Sequence, residues 1–91
     1  MFKIQRSSKG KSVVFTLIGR ITAARLTELQ KLLEDAESHS LVLDLNEVEL
    51  VDRDTVRFLA RCEADGIKIE NCPAYIREWI EKENVPKIGG G

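Results

Sequence analysis

The sequence predicts a single α/β domain with a mixed β-sheet, helices packed mainly on one face, and the order β-β-α-β-α-β-α. Several short segments either alternate apolar and polar residues or are continuous apolar runs, and both patterns are typical of strands. In three other segments, apolar residues recur every three or four positions, as in amphipathic helices. The chain has 91 residues, 43% of them hydrophobic and 32% charged. This length and this hydrophobic content are enough for one core, but the chain is too short for a large enzyme cleft.

The first two strands are expected to form a hairpin. Apolar and polar side chains alternate over residues 2–5, which predicts a half-buried strand. The polar run over residues 7–11 includes Gly10 and is expected to form the turn. Residues 13–18 are apolar on both faces, so this strand should lie inside the sheet, and Gly19 is expected to end it.

The first helix is expected to begin after Thr22, a residue type that often caps helix N-termini. Apolar residues then follow at helical spacing, and residues 38–40 are expected to break the helix. The apolar positions are Leu26, Leu29, Leu32, Leu33 and Ala36.

Residues 41–45 form a short apolar run that predicts a buried central strand. Further apolar residues follow up to Val51, after a bend expected at residues 46–47. Asp52 is predicted to cap a second helix over residues 53–65.

The last third of the chain predicts one more strand and one more helix. Gly66 is expected to adopt the left-handed conformation that ends the second helix, before a strand over residues 67–70. Pro73 fits the first position of a third helix. That helix has an apolar face wider than packing on one sheet requires, so part of it serves either the core or a partner. The face comprises Tyr75, Ile76, Trp79 and Ile80.

We predict that residues 1–84 form one domain and that residues 85–91, which end in three glycines, form a flexible tail. No internal repeat marks a second domain. The longest apolar stretch, residues 13–18, falls far short of the roughly 20 residues that span a membrane. Residues 1–3 do not resemble the start of a signal peptide, so we expect a cytoplasmic protein without direct membrane insertion.

Charge and reactive residues exclude several functions. Fourteen basic and fifteen acidic residues give a net charge of −1, which provides no overall electrostatic basis for nucleic-acid binding. His39 is the only histidine, and Cys62 and Cys72 do not have the spacing of a zinc site. We expect both thiols to be small buried residues rather than a disulfide. No catalytic triad or phosphate-binding loop is recognisable, so we expect no enzyme, metal or cofactor.

Residues 41–52 resemble the central signature of STAS domains, the anti-sigma-factor-antagonist family. That signature is an apolar strand followed by Asp-Leu, a Val and then Asp-Ser-Ser-Gly at the start of a helix. Here Asp44, Leu45, Val48 and Asp52 match it, and Gly19 matches the family's upstream strand end. The resemblance implies a non-enzymatic protein-binding module used in bacterial partner switching and transcription regulation.

The resemblance also identifies a degenerate phosphorylation site. In many family members a partner kinase, which is also the anti-sigma factor, phosphorylates the second Ser of Asp-Ser-Ser-Gly. The corresponding residues here are Asp52, Arg53, Asp54 and Thr55, so only Asp52 matches. Asp54 occupies the phosphoserine position, either as a permanent partial mimic of phosphate or as an acid that complements the helix dipole.

The resemblance further implies that the partner binds at the start and exposed face of the second helix. Arg53, Arg57 and Arg61 are four residues apart and share one helix face. They could contact an acidic partner, or they could simply be solvated, with Arg57 paired to Asp54. The expected partner is an anti-sigma kinase or a related ATPase-fold regulator; the alternative is the ATPase of an ABC transporter, with this chain as accessory subunit. The expected partner-binding residues are Asp52, Arg53, Asp54, Thr55, Arg57 and Arg61.

Overall fold

A computed structural model describes residues 2–36 and 40–84, and the predicted fold class is confirmed. The predicted tail over residues 85–91 and most of the predicted helix break lie outside the described residues. The elements are β1 (Phe2–Lys9), β2 (Ser12–Ile21), α1 (Ala23–Asp35), β3 (Ser40–Val51), α2 (Arg53–Ala64), β4 (Lys68–Glu70) and α3 (Ala74–Asn84).

The four strands form one mixed sheet in the order β1-β2-β3-β4. β1 pairs with β2 in antiparallel orientation, and β2–β3 and β3–β4 are parallel. β2 and β3 are therefore the inner strands, as their apolar runs predict. Because β2 and β3 are parallel, their carboxyl ends lie at the same edge of the sheet.

The hairpin strands are longer than predicted. β1 continues through the polar residues to Lys9, which pairs with Ser12, so the turn consists of Gly10 and Lys11 alone. Gly10 has a φ of 64°, as a tight hairpin turn requires. Polar residues can continue β1 because an edge strand needs only backbone pairing on one side. Gly19 also does not end β2, which continues to Ile21.

β3 is one strand of 12 residues, not a short strand followed by a bend. Its pairing with β2 shifts register twice, between Thr16 and Ile18 and between Gly19 and Arg20. At each shift β3 contains one residue more than β2, which is the geometry of a β-bulge. The two bulges take the place of the predicted bend and allow Val48 and Val51 both to be buried in the core.

The predicted ends of α2 agree with the structure to within one residue. Asp52 is its N-cap and Gly66, with a φ of 96°, follows the C-cap Asp65. Pro73 is predicted to be the first residue of α3, but it is the residue that precedes the helix. Its carbonyl oxygen accepts hydrogen bonds of 3.0 Å from the amides of Ile76 and Arg77, which makes Pro73 the N-cap.

The core lies between the helices and one face of the sheet. Along β2, alternate residues are buried in it. Those between them lie on the other face and are half-buried, except for Arg20, which is exposed, so neighbouring side chains cover that second face only in part. Val42 pairs with Val14 on this second face and is 7% exposed. The largest fully buried residues are Phe15, Leu17, Ile21, Leu29, Leu43, Leu45, Leu59, Ile76 and Ile80.

Two leucines of β3 provide a matched test of this arrangement. Leu43 is fully buried, and Leu50 is 53% exposed. We expect Leu43→Ala to lower the free energy of unfolding by about 2–5 kcal/mol, because it removes packing and leaves a cavity. Leu50→Ala should cost less than about 1 kcal/mol. Urea denaturation measures both, and equal losses would contradict the placement of β3.

Candidate partner-binding surface

The predicted site lies where β2 and β3 end side by side. Ile21 pairs with Val51 as the last residue of each strand. One residue further along each strand, the chain enters a helix, α1 after Thr22 and α2 after Asp52. The N-termini of two helices, each with unpaired amide groups, are therefore held close together.

One carboxylate caps both helices. Oδ1 of Asp52 accepts a hydrogen bond of 2.9 Å from the amide of Thr55, the usual N-cap bond of α2. Oδ2 accepts a second bond of 2.9 Å from the amide of Ala23, the first residue of α1. Thr22 occupies the N-cap position of α1, as predicted, but makes no side-chain cap bond. Asp52 performs that function from 29 residues away.

Thr55 belongs to the same hydrogen-bond network, on its buried side. Its side chain is fully buried, with the hydroxyl 2.6 Å from Oδ1 of Asp52 and 3.0 Å from the carbonyl oxygen of Ile21. The hydroxyl thus links the end of β2 to the start of α2. Although the sequence places Thr55 among the partner-binding residues, its side chain supports the surface from beneath and presents no atom to a partner.

The network keeps Asp52 ionised. Partial burial raises the pKa of this carboxyl group, but hydrogen bonds from the Thr55 hydroxyl, the Thr55 amide and the Ala23 amide outweigh that effect. The net result is a pKa below the ordinary value of 3.8. Asp52 is therefore negatively charged at neutral pH, where it faces the positive ends of two helix dipoles.

Asp54 and the arginines lie on the outer side of α2. Asp54, Arg53, Arg57 and Arg61 are all exposed. Within residues 2–36 and 40–84 no ion pair joins Asp54 to Arg57, so the local pairing considered from the sequence does not form. These four residues, all predicted to bind a partner, thus form one continuous exposed surface along α2.

Glu83 lies next to two of the arginines. Its Oε1 atom is 3.5 Å from Nε of Arg53 and 3.8 Å from Nε of Arg57. Both arginine side chains are more than half exposed, so each contact contributes at most about 1 kcal/mol. A stronger carboxylate ligand could therefore replace Glu83 at little cost. Sequence spacing gave no sign of Glu83, because it belongs to another helix.

Most of the chain matches a known protein family. The family model described as "Mlab, STAS domain" matches residues 4–81. The chain belongs to the STAS domain family. No curated protein matches the sequence. STAS domains are generally non-enzymatic, and none of the helices in the described residues is long and apolar enough to cross a membrane.

In this STAS domain, α3 packs against α2 and forms an ion pair with it. Ile76 and Ile80 are fully buried, and Nη1 of Arg77 donates hydrogen bonds of 2.9 Å to both carboxylate oxygens of Glu63. These contacts place Glu83, near the end of α3, beside the start of α2.

The two aromatic residues of α3 differ in their surroundings. Trp79 is half-buried and packs against the core, so this part of the wide apolar face serves packing. Tyr75 is 46% exposed, and its hydroxyl donates a hydrogen bond of 2.9 Å to the carbonyl oxygen of Glu49. Tyr75 therefore lies against the edge of β3, beyond the point where β4 stops pairing.

The cysteines of the STAS domain are not activated nucleophiles. Both are free thiols, and Cys62 is buried as predicted, whereas Cys72 is only half-buried. Burial raises the pKa of Cys62 to about 12, and the charge of Asp65 acts in the same direction. Burial also raises the pKa of Cys72. Both thiols stay protonated at neutral pH, whereas thiolates are the reactive form. Within the described residues, no group of three or more His, Cys, Asp or Glu side chains could hold a metal ion.

The double cap predicts a graded loss of stability. Asp52→Ala should lower the free energy of unfolding by about 2–3 kcal/mol, because each cap contributes about 1 kcal/mol and the Thr55 hydroxyl loses a partner. Asp52→Asn keeps one acceptor oxygen and can support one helix only, so it should fall between wild type and Asp52→Ala.

The matched control is Thr22→Ala, at an N-cap position without a cap bond. It should cost less than about 0.5 kcal/mol. Thermal or urea unfolding measures all three variants. If Thr22→Ala were as damaging as Asp52→Ala, the capping roles would be assigned to the wrong residue.

Proposed function

We propose that this STAS domain is a non-enzymatic bacterial protein-binding module of the anti-sigma-factor-antagonist type, acting in the cytoplasm without a Ser phosphorylation switch. The binding surface is the start and exposed face of α2. The expected partner is an anti-sigma kinase or a related ATPase-fold regulator. The observation that carries this proposal is the position of Asp54, which is exposed in the first turn of α2 where the family has its phosphoserine.

Asp54 is available to a partner. It makes no ion pair within the described residues, and the side-chain cap bond of α2 comes from Asp52 and not from Asp54. A phosphoserine carries nearly two negative charges and three acceptor oxygens, whereas an aspartate carries one charge and two oxygens. Asp54 is thus a permanent but partial substitute for the phosphate. Its favourable interaction with the helix dipole, about 0.3–1 kcal/mol, is compatible with this role.

The arginines supply the opposite charge on the same surface. Arg53, Arg57 and Arg61 are exposed, and guanidinium groups bind carboxylates through charge-assisted hydrogen bonds. A partner that carries carboxylates would replace Glu83 as the ligand of Arg53 and Arg57. Complex formation should therefore be weakened by salt.

The first test concerns phosphorylation. We expect that the wild-type chain takes up no stoichiometric phosphate when incubated with ATP and the partner kinase, because Asp54 offers no hydroxyl and Thr55 is buried. Asp54→Ser should create an acceptor at an exposed helix start. Intact-mass spectrometry detects the added phosphate, and stoichiometric phosphorylation of the wild-type chain would falsify this part of the proposal.

The second test concerns the arginines. Arg57→Glu should weaken the complex by roughly 1–3 kcal/mol, because it places a like charge opposite the partner's carboxylates. The fold should be retained, because Arg57 contributes only an exposed ion pair. Binding is measured by affinity capture and titration at two salt concentrations.

Lys31→Glu is the control, because it reverses an exposed charge on α1 outside the proposed surface. It should change binding little. Loss of the complex with Lys31→Glu, together with normal binding by Arg57→Glu, would place the partner on another surface.

The alternative function is an accessory subunit that docks on the ATPase of an ABC transporter. The observation that favours it is the absence of the acceptor serines, since constitutive docking needs no phosphorylation switch. Affinity capture from the native cell separates the two functions by the identity of the co-purifying protein.

A further inference from the structure

α1 and α2 lie side by side with an open groove between them. Two adjoining depressions, of about 190 and 290 Å³, form this groove and share the side chains of Gln30, Phe58 and Arg61. Leu26 lines one depression and Leu33 the other. The groove is thus continuous along both helices and has an apolar floor.

The apolar floor results from incomplete packing of α1. Leu29 is its only fully buried residue, whereas Leu26, Leu32 and Leu33 are half-buried. Phe58 is half-buried on the facing side of α2. The apolar stripe of α1 is therefore wider than the surface that the domain covers.

Charges of both signs lie along the groove. Asp54, Arg57 and Arg61 line the depression nearer the start of α2, and Arg61 forms no ion pair within the described parts of the chain. Glu34 and Asp65 line the end where α2 stops. A purely apolar ligand such as a lipid tail would offer no oppositely charged partner to Arg61, Glu34 or Asp65.

We propose that the groove binds an amphipathic helix of the protein partner. Apolar residues three to four positions apart on this helix pack on Leu26, Leu33 and Phe58. One of its carboxylates binds Arg61, and one of its basic side chains lies near Glu34 and Asp65. α2 has 12 residues and is about 18 Å long, so the groove accommodates roughly three turns.

This inference rests on the proposed function, because it names the element of the partner that is bound. It adds α1 to a surface that the sequence confines to α2. It also assigns Arg61 and Arg57 different roles. Both line the groove, but Arg57 already contacts Glu83, whereas Arg61 has no ion-pair partner among the described residues.

The test places a photo-crosslinking amino acid in the full chain, in the native cell, at Gln30, Lys31 or Arg53. Gln30 lines both depressions. Lys31 is the next residue of the same helix, is exposed and does not line the groove. Arg53 reports on the start of α2 outside the groove. Mass spectrometry then maps the crosslinked peptide.

We expect Gln30 to crosslink several-fold more than Lys31, to a partner segment with helical apolar spacing and an acidic residue. Arg61→Glu should reduce the Gln30 crosslink about tenfold, which corresponds to about 1.4 kcal/mol. Circular dichroism of the purified variant checks that the fold is retained, since Arg61 is exposed and unpaired in the described structure.

Other outcomes overturn the inference. These are equal yields at Gln30 and Lys31, a crosslink to a lipid or to a second copy of this chain, or a partner segment without helical spacing. A protein crosslink at Arg53 but none at Gln30 would overturn the groove and leave the proposed function intact. No protein crosslink at any of the three positions would overturn the proposed function itself.

Discussion

The surface of this STAS domain depends on one shared carboxylate. Parallel pairing brings the ends of β2 and β3 together, and two helices begin there. The Asp52 carboxylate accepts hydrogen bonds from both helices, at Oδ1 from the amide of Thr55 and at Oδ2 from the amide of Ala23. This carboxylate thus joins the starts of α1 and α2 at one end of the groove between them.

Over residues 52–55, the first and last side chains have structural roles and the two between them are exposed. Asp52 and Thr55 point into the junction of strands and helices, and Thr55 is fully buried. Arg53 and Asp54, between them, point outward and are exposed. This arrangement explains how the chain can depart from the family's serines and keep the fold. Asp52, which matches the family, holds the helix start together with the hydroxyl of Thr55, which replaces the family's Gly. The two exposed residues can differ from the family because the helix start does not depend on their side chains.

Local patterns were sufficient to predict the order of elements, the cap at Asp52 and the left-handed residue Gly66. They failed where the cause lies elsewhere in the fold. Helical spacing could not show that Asp52 also caps α1, because that bond joins residues far apart in sequence. For the same reason the sequence patterns missed the contact of Arg57 with Glu83. They also missed the bulges of β3, which are visible only in its pairing with β2. The motif predicted the place of Thr55 but not its burial, since a hydroxyl suits a surface and a capping network equally well.

The most direct test of the shared cap is an NMR titration of the Asp52 side-chain carboxyl carbon, with the Ala23 and Thr55 amides followed in parallel. The folded-state pKa lies below 3.8, so the carboxylate's contribution to stability is present above that pH and is lost as the pH falls through the lower value. We predict a carboxyl transition below pH 3.8, accompanied by shifts of both amides at the same midpoint. A midpoint at or above 3.8, or an Ala23 amide that does not respond, would contradict the account.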